Sequence, residues 1–221
     1  MTSENPPPGP LRRVLRTGRL EAFSDGVFAI AITLLVLDIA VPASAEAHLL
    51  RSVADLWPSY LGYVICVSTI GGLWLGHVAI TEYLERTDVG FVRLNLLLLL
   101  VIAFLPFPTK LFADYIGRNS PERVAVTIYG LSLLLASTLL LALWRYALRN
   151  RLVRPDTADE RIQFLTKRLT AGVAGYPVVI IAGLFIPVIA VIGYLVIALY
   201  SIIPFRGGSI PWRSGRRLPQ P

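Results

Sequence analysis

Cysteine and histidine are almost missing from this chain of 221 residues, which carries Cys66 alone and only His48 and His77. One thiol excludes an internal disulfide and any cysteine-rich metal site, and no second histidine or cysteine lies near enough to either histidine to complete one. The HExxH and GxSxG patterns of membrane hydrolases are also absent, so nothing points to an enzyme, a metal centre or a cofactor. Charge is scarce too. Only 16% of residues are charged and 55% are hydrophobic, too apolar a balance for a soluble domain of this size, so the chain belongs to the membrane class. The net charge of +7 does not indicate nucleic acid, because the arginines cluster beside apolar runs, where lipid headgroups account for them.

What is present is a series of long apolar segments. The first runs from Leu20 to Ala40, and the second covers about Tyr60 to Ile80. The third starts near Phe91 and is expected to stop at Pro106-Phe107-Pro108, since proline disfavours a continuing helix. The fourth runs from about Val124 to Tyr146. From Leu169 to Phe205 there is no charged residue. As one helix that stretch would be about 55 Å long against a hydrocarbon core of roughly 30 Å, so it must fold back, with a turn near Phe185 to Pro187. The expectation is an all-α, polytopic membrane protein with six transmembrane helices over residues 19–205. A basic, disordered arm (1–18) precedes them and a basic tail (206–221) follows. A secretory signal is the rival reading of the first segment, with Ala43-Ser44-Ala45 as its cleavage site. Its length and the charges Glu21, Asp25 and Asp38 argue against that.

Six spans put both termini on one side. Of the 21 Lys and Arg residues, all but Arg51, Lys110, Arg118 and Arg123 fall in the termini, in the second-to-third and fourth-to-fifth connections, or at the helix ends beside them. By the positive-inside rule both termini are cytoplasmic. Arg19, Ser24, Asp25, Trp74, His77 and Asn95 then lie near the cytoplasmic ends of the first three spans. Ionisable groups at such depth are costly unless paired, so Asp25 and Arg19 need partners on neighbouring helices. A polar cluster there is either interhelical glue or a proton- or ligand-sensitive latch through His77.

Beyond Asp25, the uncharged run Gly26 to Leu37 places Ile30, Thr33 and Leu37 within about 60° of one another at 100° per residue. One face thus offers two bulky aliphatic side chains with a hydroxyl between them. Asp38 follows about 80° around from Ile30 and is either a source of negative potential at an outer mouth or a solvated helix end. Thr69-Ile70-Gly71-Gly72 only loosely echoes a carbonyl selectivity filter and sits inside a span. No repeat or interrupted helix suggests a secondary transporter.

The run Arg19-Leu20-Glu21-Ala22-Phe23-Ser24-Asp25 resembles the RxxxFSD signature of the transmembrane protein 175 family of potassium channels. Trp74 and His77, Asp88, Asn95 in its LNLLLLL run, and Pro106-Phe107-Pro108-Thr109 agree in order over about the first half of the chain. The resemblance implies a cell-membrane cation channel that favours potassium and assembles as a homotetramer, the first helix of each subunit lining a central pore. Carried over, Ile30 and Leu37 would form the constriction and Thr33 a hydroxyl ring between them. Arg19, Phe23, Ser24, Asp25, Trp74, His77 and Asn95 would position that helix. Many bacterial relatives carry a second histidine after the one matching His77; here Val78 stands there. The competing function is a secondary transporter or proton-linked permease working through Asp25 and His77.

Overall fold

The structure, a computed structural model, describes residues 17–37, 39–41, 48–115 and 120–202. Eight helices occur among them: α1 (Thr17–Leu37), α2 (Leu49–Asp55), α3 (Trp57–Tyr83), α4 (Val89–Phe104), α5 (Pro106–Tyr115), α6 (Ser120–Arg149), α7 (Asp159–Phe185) and α8 (Pro187–Ile202). The one extended pairing among the described residues is an isolated antiparallel bridge, Leu84 to Val153. The protein is all-α and crosses the membrane several times.

Five stretches are long and apolar enough to span a bilayer: 17–37, 57–83, 89–115, 121–149 and 159–185. The expected fold-back is present, since α7 ends at Phe185 and α8 starts at Pro187. Proline suits that first helical position because the donor it lacks has no partner there. The 16 described residues of α8 rise about 24 Å, short of the roughly 30 Å core, and residues 203–205 of the expected sixth span lie outside the described set. So do the first sixteen residues of the arm and the whole tail; the arm's last two residues, Thr17 and Gly18, are already helical.

One expectation needs correcting. The third span does not stop at Pro106; it breaks at Leu105 and resumes at once as α5. Pro106 and Pro108 fall in the first turn of α5, where no intrahelical donor is needed, and the amide of Thr109 closes that turn on the carbonyl of Leu105 at 3.2 Å. The prolines therefore mark a joint within one 27-residue crossing.

The bundle is built by α3, α4, α6, α7 and α8, with α1 laid against α3 and α4 on its outside. Close approach depends on glycine at two positions. Tyr194 of α8 fits its hydroxyl where a side chain on Gly130 of α6 would stand, and donates to the carbonyl of Val126 at 3.2 Å. Tyr146 of α6 likewise occupies the space beside Gly90 and donates to Asp88 Oδ2 at 3.2 Å. At that end of the bundle the connections 84–88 and 150–158 are tied together. Glu85 N–H donates to the carbonyl of Leu152 at 2.9 Å and Arg154 N–H to that of Tyr83 at 3.0 Å.

Candidate functional site

Helix α1 has two faces. Ser24, Phe28, Ala31 and Leu35 are buried at steps of four, three and four residues, the seam with which α1 meets α3 and α4. Ile30, Thr33 and Leu37 point about 160° away from the mean direction of that seam. Ile30 is 59% and Leu37 74% exposed, and Thr33 is exposed between them. The Thr33 hydroxyl donates to the carbonyl of Ile30 at 2.9 Å. Its one proton is thereby turned back onto the helix, and the oxygen lone pairs are left for whatever lies beyond. Asp38 lies outside the described residues.

Behind the buried face is a hydrogen-bonded chain linking three helices. Asn95 of α4 donates through Nδ2 to Ser24 Oγ of α1 at 2.9 Å, and its Oδ1 lies 2.9 Å from His77 Nε2 of α3. With the amide nitrogen committed to Ser24, Oδ1 must accept, which places the proton of a neutral His77 on Nε2. All three groups are buried, and the ring of Phe28 lies 5.6 Å from that of His77. Asp25, beside this chain but exposed, accepts from Trp74 Nε1 at 2.8 Å. The acidic group of the first helix thus finds its partner on the second span.

The structure brings together Ser24, Asp25, Trp74, His77 and Asn95 but not Arg19 or Phe23. Phe23 is 57% exposed, and Arg19 is exposed on the first turn of α1 with no hydrogen bond or ion pair among the described residues. Asp88 does more than its place in the sequence pattern suggested. Its Oδ1 caps α4 by accepting from the Phe91 amide at 2.8 Å, while Oδ2 takes the Tyr146 hydroxyl. An aspartate just before an apolar run is a legible helix start, whereas the tyrosine 58 residues on is not.

Nothing in this arrangement suggests chemistry on a substrate. No group of three or more His, Cys, Asp or Glu side chains able to hold a metal ion occurs among the described residues. What it provides is a firmly seated helix that presents one apolar, singly hydroxylated face outward.

Residues 19–106 match the family described as "Endosomal/lysosomal potassium channel TMEM175". The chain is 39% identical over 166 residues to a potassium channel of Streptomyces collinus, covering 74% of this chain and 81% of that protein. It is also 39% identical over 189 residues to a potassium channel of Chamaesiphon minutus, covering 83% and 92%. A crystal structure of a lysosomal potassium-selective channel TMEM175 homolog from Chamaesiphon minutus superposes with a TM-score of 0.75 at 37% identity, over 84% of this chain and 95% of that one. The chain is therefore a member of the TMEM175 family of membrane proteins.

Proposed function

We propose that this chain is the subunit of a homotetrameric potassium channel in which the Ile30, Thr33 and Leu37 face of α1 lines a central axis. The observation that carries the reading is that this face lies opposite the seam that holds α1 to its own bundle, and a single subunit leaves it uncovered. Potassium enters the proposal from the named relatives.

Physically, rings of Ile30 and Leu37 side chains form dry collars that stop ions by excluding water. A ring of Thr33 hydroxyls between them replaces part of the hydration shell of a passing cation. The hydrogen bond from Thr33 to the Ile30 carbonyl suits this role, because it turns the oxygen, rather than the hydrogen, toward the axis. Larger, weakly hydrated cations lose less on shedding water, which favours potassium over sodium. The polar chain through Ser24, Asn95 and His77 and the Asp25 to Trp74 bond act as the latch that fixes the rotation of α1. Asp38 adds negative potential at the outer mouth, and both termini face the cytoplasm.

A carrier working through Asp25 and His77 is the weaker reading. Each group is already held by a neutral partner, Trp74 and Asn95 respectively, in contacts that seat a helix. Purified protein in potassium-loaded vesicles separates the two. A channel gives electrogenic potassium flux without a coupled gradient, and Thr33→Ala alters its ion preference. Flux that saturates at low turnover and requires a proton gradient contradicts the channel.

A further inference from the structure

Arg19 and Phe23 belong to the sequence signature of α1, yet neither joins the polar chain behind that helix. Their place on the helix gives the reason. Arg19, Phe23, Gly26, Ile30, Thr33 and Leu37 follow one another at steps of four, three, four, three and four residues, and all six are exposed. At 100° per residue they cover about 80° of the helix surface. Alternating steps of this kind form the seam along which helices wind around one another. Arg19 and Phe23 therefore continue the Thr33 face toward the end of α1 that the excess of basic residues assigns to the cytoplasm. Arg19 stands about 21 Å along the helix from Thr33. A side chain on Gly26 would meet nothing within 4 Å, so the line is open between Phe23 and Ile30.

Arg19 is the one charged residue on this line. Positions three and four residues to either side, where a helix brings a partner alongside, hold Leu15, Arg16, Ala22 and Phe23 in the sequence, none of them acidic. The nearest carboxylates on α1 are turned elsewhere. Glu21 points about 160° away from Arg19, toward Glu82 and Arg154, and Asp25 points about 120° away and is held by Trp74. Helix stability does not account for the arginine either, because a cation in the first turn meets the positive end of the helix dipole. An unpaired fixed charge on a face directed at an axis acts on whatever travels along that axis.

We propose that the Arg19 side chains of four copies form a positive ring at the cytoplasmic mouth of the pore and make conduction directional. Potassium entering from the cytoplasm is held back; potassium entering from outside is not. The inference rests on the channel reading above. Four unit charges roughly 8 Å from the axis lower the local concentration of a monovalent cation about fivefold at about 0.1 M salt, where charges are screened over about 10 Å. At about 1 M the screening length is about 3 Å and the depletion nearly vanishes. Entry from the cytoplasmic side falls with that local concentration, whereas an ion leaving by the same side has already crossed the collars of Ile30 and Leu37. Inward current therefore exceeds outward current, and salt removes the difference.

Excised patches with the cytoplasmic face toward the bath and equal KCl on both sides test this. In the parent, outward current is expected to be about a fifth to a third of the inward current at equal and opposite voltages in about 0.1 M KCl, and nearly equal to it in about 1 M. Arg19→Gln brings the ratio close to one at both concentrations, and Arg19→Lys keeps the asymmetry of the parent, inward current certifying that each variant is folded. Arg19→Cys adds a second arm, since Cys66 is buried and leaves the introduced thiol as the one within reach. A cationic methanethiosulfonate in the bath restores the asymmetry, and an anionic one reverses it. Equal currents in the parent at about 0.1 M KCl overturn the proposal, leave the channel reading standing and assign Arg19 to lipid headgroups. Asymmetry that persists in about 1 M KCl, or that survives Arg19→Gln, overturns it equally. The salt dependence of the parent decides the matter even where a variant fails to fold. A parent that carries no potassium current overturns the channel reading as well, so the two failures are distinct.

Discussion

Trp74 Nε1 donates to Asp25 Oδ1 at 2.8 Å, so the indole of the second span holds the carboxylate of the first. Removing the donor while keeping an aromatic ring, as in Trp74→Phe, is expected to cost about 1–2 kcal/mol, between the average interhelical hydrogen bond in membranes and one to a charged group. Asp25→Asn keeps an acceptor oxygen and costs less. Unfolding titrations in mild detergent measure both, and a Trp74→Phe protein as stable as its parent contradicts the pairing.

Asn95 is the middle of its chain, donating to Ser24 and accepting from His77. Asn95→Leu strands both neighbours in a buried site and should destabilise the protein by about 1–3 kcal/mol. Adding His77→Leu to it should cost less than the sum of the single changes, because the second removes a group already left without its partner. Additive losses in the double-mutant cycle speak against a connected chain.

Gly130 leaves room for Tyr194, whose hydroxyl would collide with any side chain there. Gly130→Ala is expected to cost about 1–3 kcal/mol, the range for forcing extra volume into a packed interior. Tyr194→Phe should recover part of that loss and not all of it, since the ring carbon is also close. Thermal melts of the two single variants and the double variant decide the matter.

Thr33→Val conserves shape and deletes the oxygen. If that oxygen contacts the passing ion, losing even about 1 kcal/mol of interaction changes passage roughly fivefold, and potassium loses more of its advantage over sodium. Competing-ion flux in vesicles measures the ratio. An unchanged preference removes Thr33 from the path of the ion.

Much of this was legible in the sequence, for physical reasons that differ by element. The α1 face could be drawn from periodicity alone, and the return between α7 and α8 followed from helix rise against bilayer thickness. Shared depth of Ser24, Asp25, Trp74, His77 and Asn95 followed from topology, yet which group met which did not. The Asp25 to Trp74 and Asn95 to Ser24 pairs depend on helix rotations that only packing sets. Pro106 and Pro108 misled because a proline signals a stop and a start equally well; Thr109 closing on Leu105 decided for a start. Tyr146 on Asp88 and Tyr194 in the Gly130 space are contacts between distant segments with no local signature at all.

The central claim, that the Thr33 face of α1 converges on an axis shared between copies, is tested most directly by cadmium block of Thr33→Cys. Cys66 is the chain's own single cysteine and is fully buried, so the introduced thiol is the one the metal can reach. Several thiolates meeting around an axis form a soft site for that ion, and micromolar cadmium should then stop potassium flux, reversibly on adding a chelator. Unimpeded flux in cadmium, with the same thiol labelled readily by a lipid-soluble maleimide, would place this face against lipid and contradict the account.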